Sequence, residues 1–460
     1  MDSELNVVQA ANRSEEVVTS ELVRRVSDAM AALDDSVAQN LVDGLRAPDL
    51  ADVIELLPSE QRAQFVQALG NSLDFDTFSE LDETVRDQLS EELPNEYLAR
   101  AVTELDSDDA AYVIESLEDD DKREVLDKLS FGDRAALERN LEYGEETAGR
   151  MMQGDFVAVA PFWTVGTVID YMRETDDLPH TFSEIYVVDP TYKVVGALGL
   201  SRLLRTKREV AIEDIMDDSV AVVDAKADQE EVARQFKRYD LLSAPVVDEN
   251  DRLVGVVTVD DVVEVIEDEA DEDMRRLGGV GDESLLDNVV DAARSRFPWL
   301  LINLVTAVLA STVIKLFDAS IEQMVALAVL MPIVASMGGN AGTQTMTVAV
   351  RALGTRDLGP MNAARVIVRE TSIGLINGLI FALILGMVTI LWFGSGPLGL
   401  VIAAAMIFNH LSAALAGILI PLALDRMAYD PALASGVFLT TVTDVVGFFA
   451  FLGLATIWLL

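Results

Sequence analysis

The sequence predicts a multi-domain membrane protein: an all-α superhelical N domain, a tandem pair of α/β repeats, and an all-α transmembrane domain of five helices. The charge distribution is the first indication, because nearly all of the formal net charge of −44 precedes residue 297. Two internal repeats in this acidic half and five long apolar runs in the near-neutral half are the others. We expect the helical N domain at 1–145 and the two repeats at 151–208 and 209–265. An acidic connecting helix is expected at 261–290 and the transmembrane domain at 291–460.

Five apolar runs mark the C-terminal half as a membrane domain. They lie at 297–317, 321–350, 366–393, 397–424 and 431–460, each at or above the ~20 residues that a spanning helix needs. Basic residues follow the second and fourth runs, which predicts a cytoplasmic N-terminus and an extracellular C-terminus. We therefore expect a multi-pass protein of the cell membrane, in contact with the lipid bilayer and without a nucleic-acid partner. The basic residues are Arg351, Arg356, Arg365, Arg369 and Arg426.

The acidic half is expected to stay in the cytoplasm. Residues 1–296 hold 71 acidic and 28 basic side chains, and the polar start of the chain lacks the apolar core of a secretory signal. The absence of cysteine excludes disulfides, thiolate metal sites and cysteine nucleophiles. Such an acidic excess is also typical of salt-adapted proteins, so each acidic side chain is either a ligand or part of a solvated surface.

Two repeats predict how the acidic half is built. Residues 49–69 resemble residues 109–129, and repeated amphipathic helices are typical of a small superhelical array. Residues 185–204 resemble residues 244–263 at an offset of 59, each copy having the pattern strand, turn, strand, helix. This pattern resembles a tandem CBS pair, a regulatory module that often binds adenine nucleotides. ATP is therefore a candidate ligand, although the sequence identifies no nucleotide contact.

Asp444 is the only ionisable side chain between residues 431 and 460, and a carboxylate at the bilayer centre costs ~2.5–3.5 kcal/mol on insertion scales. One reading is a structural group hydrogen-bonded to Thr440, Thr441 or Thr443. The other is a cation site, to which Thr440 adds a hydroxyl oxygen from the same helical face. Two copies related by a dimer axis would supply two carboxylates. So few protein oxygens suit hydrated Mg²⁺ better than Ca²⁺.

Glycines and polar residues punctuate the second apolar run. Gly338 and Gly339 lie shortly after Pro332, which favours a break in the helix where it lines a pathway. Alternatively, the glycines form a small-residue contact between helices. The predicted pathway-lining residues of this run are Gly338, Gly339, Asn340, Thr343 and Gln344.

The segment 260–287 joins the repeats to the first apolar run and is strongly acidic. Helical spacing places Asp261, Glu264, Asp268 and Glu272 along one face, where like charges destabilise a helix by ~0.2–0.5 kcal/mol per pair. Divalent cations would relieve this repulsion. A solvated acidic face is the alternative.

Enzyme chemistry is not expected. The chain has two histidines, His180 in a loop and His410 in the fourth apolar run, and they cannot assemble a metal or catalytic constellation together. We expect His410 to be satisfied within the helix bundle rather than to line a pathway. The sequence holds no nucleophile–base pair, phosphate-binding loop or cofactor fingerprint.

Taken together, these residues resemble the MgtE family of magnesium channels over nearly the whole chain. The resemblance rests on the domain order, on "GGNAGTQ" in the second span and on "DPALASGVFLTTVTDVVGF" in the fifth. It implies a homodimer with a pore between protomers along spans two and five, where Asp444 binds Mg²⁺. It also implies that cytosolic Mg²⁺ bridges acidic faces of the N domain, the CBS pair and the connecting "plug" helix, which closes the pore.

The resemblance further implies a set of regulatory Mg²⁺ ligands. One departure stands out: family members often carry an asparagine two turns before the pore aspartate, where this chain has Gly436. The alternatives left open are a CBS-regulated transporter of another divalent cation, such as Co²⁺ or Mn²⁺, or of an anion, and a membrane-anchored ion or nucleotide sensor. The implied regulatory acids are Asp228, Glu230 and Asp240 in the second repeat, Asp261, Glu264, Glu267, Glu269, Glu272 and Asp273 in the plug helix, and Asp108 and Asp109 in the N domain.

Overall fold

The computed structural model describes residues 17–175, 178–179, 181–281, 289–359, 361–427 and 429–460, apart from the side chains of 433–435. His180 and residues 282–288 of the predicted connecting segment therefore lie outside the described residues, as do residues 1–16. The chain divides into two compact units, Met1–Glu267 and Asp268–Leu460.

The N-terminal part of the first unit is all helix in the described residues. The helices are amphipathic and share one continuous core, in which Phe65, Leu89, Leu98 and Ile114 are fully buried. The two copies of the sequence repeat coincide with the helix pairs α3–α4 and α7–α8, so the array predicted from 49–69 and 109–129 is present. The helices are α1 (Ser20–Ala31), α2 (Asp35–Val42), α3 (Ala47–Leu56), α4 (Ser59–Leu69), α5 (Glu83–Glu92), α6 (Asn95–Glu104), α7 (Ser107–Glu115), α8 (Asp119–Lys128) and α9 (Phe131–Leu141).

Two three-stranded sheets follow, with the same topology. In each, a short first strand pairs parallel to the second and the second pairs antiparallel to the third. The register shifts at Val187/Val188 and again at Val246/Val247, positions that reproduce the sequence offset of 59. The elements are β1 (Ala158–Val159), α10 (Val165–Glu174), β2 (Glu184–Val188), β3 (Val194–Gly199), α11 (Leu200–Arg205), β4 (Val223–Asp224), α12 (Gln229–Tyr239), β5 (Ser243–Val247) and β6 (Leu253–Thr258).

The two repeats pack through an apolar cluster to which both contribute. Tyr186 and Ala197 come from the first repeat, and Leu253 and Val256 from the second. The Tyr186 hydroxyl donates to Ser243 Oγ at 2.8 Å, so its buried polar atom is satisfied. Helix α13 (Val259–Gly278) begins directly after β6, and its Val262 joins the core of the second repeat.

The second unit contains five helices long and apolar enough to cross a membrane within the described residues. The prediction of five spans is therefore confirmed. Helix α18 is central, because it packs against α16, α17 and α19, whereas α14 packs against α19. The helices of this unit are α14 (Val289–Lys315), α15 (Asp318–Gln323), α16 (Ala326–Gly354), α17 (Ala363–Phe393), α18 (Gly396–Arg426) and α19 (Pro431–Leu459).

The predicted break in the second span is wrong. Helix α16 runs without interruption from Ala326 to Gly354, with Pro332 inside it. The glycines are explained by tertiary packing, because side chains of neighbouring helices occupy the space beside them. A Cβ at Gly338 would lie 2.3 Å from Asn409 Nδ2, and one at Gly342 would lie 2.7 Å from Leu439 Cδ1. These glycines thus serve the small-residue contact between helices. Without a break there are no half-helix ends near Gly338 to recognise an anion.

Candidate functional site

Asp444 lies on α19 and is half-buried. None of the ion pairs among the described residues involves it, and no described hydrogen bond reaches its carboxylate. The neighbouring threonines donate elsewhere: Thr441 Oγ1 donates to Val437 O at 2.7 Å and Thr443 Oγ1 to Thr440 O at 3.1 Å. Thr440 Oγ1 likewise lies 3.1 Å from Gly436 O. The carboxylate is therefore not the threonine-bonded structural group that was one of the two readings.

The polar side chains of α16 form an exposed face on the single chain. Asn340, Thr343 and Gln344 are all exposed, and Asn340 Nδ2 donates to Ser336 Oγ at 3.4 Å, one turn earlier. Gly339 has open space beside it, whereas Gly338 is buried on the other side of the helix. Helix α16 packs directly against α19. Polar groups at membrane depth require water or protein to cover them, so this face suits a water-filled path or a second chain.

His410 is held within the bundle, as expected. It is buried, its Nδ1 lies 3.0 Å from Met406 O, and its ring stacks on Phe381 with the centroids 5.5 Å apart. Its backbone also contacts α17, where a Cβ at Gly374 would lie 3.0 Å from His410 O. His410 thus faces α17 rather than the polar face of α16.

Three of the predicted regulatory acids come together in the first unit. Asp108 and Asp109 occupy the first turn of α7, and Asp261 lies in the first turn of α13. Asp108 is 5% exposed, and its Oδ1 has no hydrogen-bond partner in the described part of the chain. Asp261 accepts from Thr258 Oγ1 at 2.6 Å and from Gln153 Nε2 at 3.4 Å. None of the ion pairs of the described residues neutralises these carboxylates.

The electrostatics of this cluster follow from burial and like charge. Burial, and then the charge of Asp261, raise the pKa of Asp108 well above its ordinary value. The same two causes raise the pKa of Asp109 to about 7, with Glu264 adding to them. Burial raises the pKa of Asp261 to about 6 against the opposing hydrogen bond from Thr258. Protonation of these carboxylates, or binding of a cation to them, therefore relieves the repulsion within the cluster.

The remaining predicted acids of the CBS pair lie at the two ends of α12. Asp228 caps its N-terminus by accepting from Glu230 N at 3.0 Å, and Glu230 pairs with Arg234 at 3.3 Å. Asp240 ends the same helix with a left-handed backbone, φ 53°. Asp228 and Glu230 therefore have partners within the chain, and Asp240 marks the end of the helix.

On α13 the predicted acids differ in exposure. Glu264 and Glu267 are exposed, Glu269 is half-buried and Glu272 pairs with Arg276. Burial, and then Asp430, raise the pKa of Asp273. Across the described residues, no group of three or more His, Asp or Glu side chains is arranged to hold one metal ion. The structure thus groups Asp108 and Asp109 with Asp261, and Glu264 adds to the negative charge around Asp109.

A cavity of about 330 Å³ lies beside β4 in the second repeat. Its charged lining is mainly acidic, with Asp224, Asp248 and Glu249, and its Lys226 pairs with Glu249. Such a lining repels a triphosphate, so this cavity does not supply the predicted ATP site.

Three family models match four stretches of the chain. They describe an MgtE intracellular N domain over residues 45–146, CBS domains over 148–209 and 212–268, and an MgtE divalent cation transporter domain over 331–454. The magnesium transporter MgtE of Bacillus subtilis is 32% identical over 91% of this chain and 93% of that protein. The chain belongs to the MgtE family.

A second relative and one solved structure are similar to parts of the chain. The magnesium transporter MgtE of Enterococcus faecalis is 36% identical over 68% of this chain and 70% of its own length. A crystal structure of the cytosolic domain of the Mg²⁺ channel MgtE in complex with ATP is 31% identical, covers 53% of this chain and 99% of its own, and has a TM-score of 0.49. The resemblance drawn from "GGNAGTQ" and the fifth span is confirmed. As an MgtE family member the chain is a multi-pass membrane protein of a transporter kind.

Two features of the site were missed from the sequence. Asn409 of α18 lies between α16 and α19, and its only signal was a polar residue within the apolar run "FNHLSAAL". At the end of α13, Arg276 Nη1 pairs with Asp430 at 2.5 Å, and Leu277 packs against an apolar cluster that includes Met346 of α16 and Leu439 of α19. No sequence pattern distinguishes Arg276 and Leu277 from the other residues of this charged helix.

Replacing Gly338 by Ala should destabilise the membrane unit. The added Cβ would overlap the Asn409 carboxamide, and overpacking of this kind costs ~1–3 kcal/mol. We expect a lower thermal midpoint for the purified protein in detergent, measured by tryptophan fluorescence. Gly339→Ala is the matched control, since a Cβ there meets open space. Equal midpoints for the two variants would contradict this packing.

Replacing Asp109 by Asn should protect the first unit from proteolysis in EDTA at pH 8. Because the folded-state pKa of Asp109 is raised to about 7, its stabilising contribution is full below the unfolded pKa of ~4 and is lost as the pH rises through 7. The wild-type chain should therefore be cleaved faster at pH 8 than at pH 5.5. This increase in cleavage rate should be smaller in the variant. Rates come from limited proteolysis of the whole chain, with exposed Asp119→Asn as control. A pH profile unchanged by Asp109→Asn would refute the assignment.

Proposed function

We propose that this chain is a magnesium-selective channel of the cell membrane that mediates Mg²⁺ uptake down its electrochemical gradient and is closed by cytosolic Mg²⁺. The observation that carries the proposal is Asp444: a half-buried carboxylate on a spanning helix, without a protein cation or hydrogen-bond donor among the described residues. A charge at this depth requires compensation, and a permeating cation supplies it.

The proposed assembly is a homodimer. A single Asp444 leaves a divalent ion half-neutralised, whereas two carboxylates across a symmetry axis match its charge. Exposed Thr440 of α19 and the exposed polar face of α16 would then line the pathway. Two carboxylates and a few hydroxyl and amide oxygens suit Mg²⁺ that retains most of its water.

The proposed gate uses the acidic cluster of the first unit. Asp108, Asp109 and Asp261 repel one another, and no described Lys or Arg side chain pairs with them. Bound Mg²⁺ would hold α7 and α13 together, and its loss would leave uncompensated repulsion. A ligand shifts such an equilibrium only by its differential affinity for the two states, so several weak sites would make closure steep. The other implied regulatory acids belong to this proposal as further ligands.

Helix α13 offers a route from this cluster to the pore. Its first turn carries Asp261, and near its end Leu277 packs against an apolar cluster with members on both helices proposed to line the pathway. That cluster includes Met346 and Leu439, and a Cβ at Gly436 would lie 3.9 Å from Leu277 O. The ion pair of Arg276 with Asp430 holds this contact at the start of α19. These contacts support closure of the pore by the end of α13.

The proposed orientation has a cytoplasmic N-terminus and an extracellular C-terminus. Leu277 packs against an apolar cluster that includes Val350, near the end of α16 where Arg351 and Arg356 follow in the sequence. Arginine-rich ends of spans face the cytoplasm. The end of α13 therefore shares the side expected for the acidic half.

A broader cation range is the second candidate. The matching family model describes a divalent cation transporter, and Gly436 stands where family members often carry asparagine. Without that amide, Co²⁺ or Mn²⁺ would be less strongly discriminated. Uptake of either ion at the rate of Mg²⁺ would favour this candidate. ATP binding at the CBS pair stays a prediction, to be tested by calorimetry with and without Mg²⁺.

Replacing Asp444 by Asn should abolish most Mg²⁺ uptake. Because the substitution removes the charge and keeps the shape, we expect at least a tenfold lower initial rate in liposomes that contain a Mg²⁺-sensitive dye. Asp425→Asn, at the exposed end of α18, is the matched control and should behave as wild type. Undiminished uptake by correctly assembled Asp444→Asn protein would remove the pore assignment.

Replacing Arg276 by Gln should weaken closure. Loss of the pair with Asp430 releases the end of α13, so uptake should persist at internal Mg²⁺ concentrations that silence the wild type. The half-closing concentration should rise about two- to fivefold, the effect of a partly exposed ion pair of up to ~1 kcal/mol. Asp430→Asn should give the same shift, and Arg294→Gln, an exposed arginine of α14, should give none. A shift of the opposite sign, or none, would show that the pair does not favour the closed state.

A further inference from the structure

Asn409 is a fully buried amide in the middle of α18. It is 0% exposed, and its Nδ2 donates to Val334 O of α16 at 2.6 Å. Its Oδ1 has no hydrogen-bond partner among the described residues. A buried polar atom without a partner is costly, and the cost is not reduced where lipid replaces water around the bundle. Hydrophobic packing alone therefore does not account for this residue.

The amide occupies a three-helix junction that two glycines make possible. A Cβ at Gly338 of α16 would lie 2.3 Å from Asn409 Nδ2, and a Cβ at Gly447 of α19 would lie 3.0 Å from Asn409 Oδ1. The side chain thus rests directly on the backbones of both helices. Any change in its size or hydrogen bonding alters the distance of α16 and α19 from α18 and hence from each other.

Both helices carry the residues of the proposed pathway close to this junction. Gly447 is three residues after Asp444 on α19, and Gly338 is two residues before Asn340 on α16. The polar face of α16 lies on the side of that helix away from Asn409, because Asn340 and Thr343 are exposed and Gly338 is buried. Asn409 therefore contacts the two helices from behind and does not reach the pathway itself.

We propose that Asn409 is a positioning residue that sets the separation of α16 and α19, and through it the size of the hydrated cation that the pathway admits. The inference rests on the proposed channel function. A residue with this role changes the ratio of ion uptake rates, whereas a merely structural residue changes the amount of folded protein and lowers all rates in proportion.

The test compares Asn409→Leu with His410→Leu. The two residues are adjacent and buried on α18, but His410 faces α17. Initial uptake of Mg²⁺ and of Ca²⁺ is measured separately in liposomes at low internal Mg²⁺. We expect the ratio of the Mg²⁺ to the Ca²⁺ uptake rate to fall about fivefold in Asn409→Leu, because the free energy of one hydrogen bond corresponds to about that factor. In His410→Leu the ratio should stay at the wild-type value. Asn409→Asp, which keeps the shape and removes the amide donor, should shift the ratio in the same direction.

The outcomes separate this inference from the channel itself. An unchanged ratio in both Asn409 variants, or an equal change in His410→Leu, overturns the positioning role. If Asn409→Leu does not assemble, the ratio of Asn409→Asp decides. Absence of Mg²⁺ uptake by the wild type, or full uptake by Asp444→Asn, overturns the proposed function instead.

Discussion

The proposed function depends on carboxylates to which the described residues supply no counter-charge. Asp444 stands on a spanning helix without a described cation or hydrogen-bond donor, and Asp108, Asp109 and Asp261 meet in the first unit without a described ion pair. Elsewhere the chain does pair its acids, as at Arg234 with Glu230 and Arg276 with Glu272. At these two places the carboxylates are also buried or half-buried. In the proposed function, a divalent cation would neutralise the carboxylates at both places.

The helices around Asp444 are arranged by close packing of small residues. Lipid tails are as apolar as leucine side chains, so spanning helices associate through shape and hydrogen bonds. Gly338 and Gly342 bring α16 against α18 and α19, and this leaves the polar residues of α16 on its opposite, exposed face. The glycines thus determine which side of α16 is available to a pathway. The last turn of α13 lies beside the start of α19, where Arg276 pairs with Asp430.

Much of the fold could be predicted from the sequence, because its signals are local and periodic. Run length identified five spans, and the offset of 59 reappears as register shifts at Val187 and Val246. The continuity of α16 could not be predicted, since the group that fills the space beside Gly338 is Asn409, far along the chain. The meeting of Asp109 with Asp261 also depends on tertiary structure. With 78 acidic residues in the chain, spacing alone cannot separate such pairs from solvated surface.

The proposal that Mg²⁺ both crosses the membrane along Asp444 and closes its own path from the cytoplasmic side is tested most directly by a planar-bilayer recording. MgCl₂ is the only salt, and Mg²⁺ is titrated on the side of the acidic half. We expect unitary Mg²⁺ currents whose open probability falls steeply as Mg²⁺ rises on that side and is insensitive to Mg²⁺ on the other. Absence of a Mg²⁺ current, or an open probability that does not depend on Mg²⁺ on that side, would contradict it.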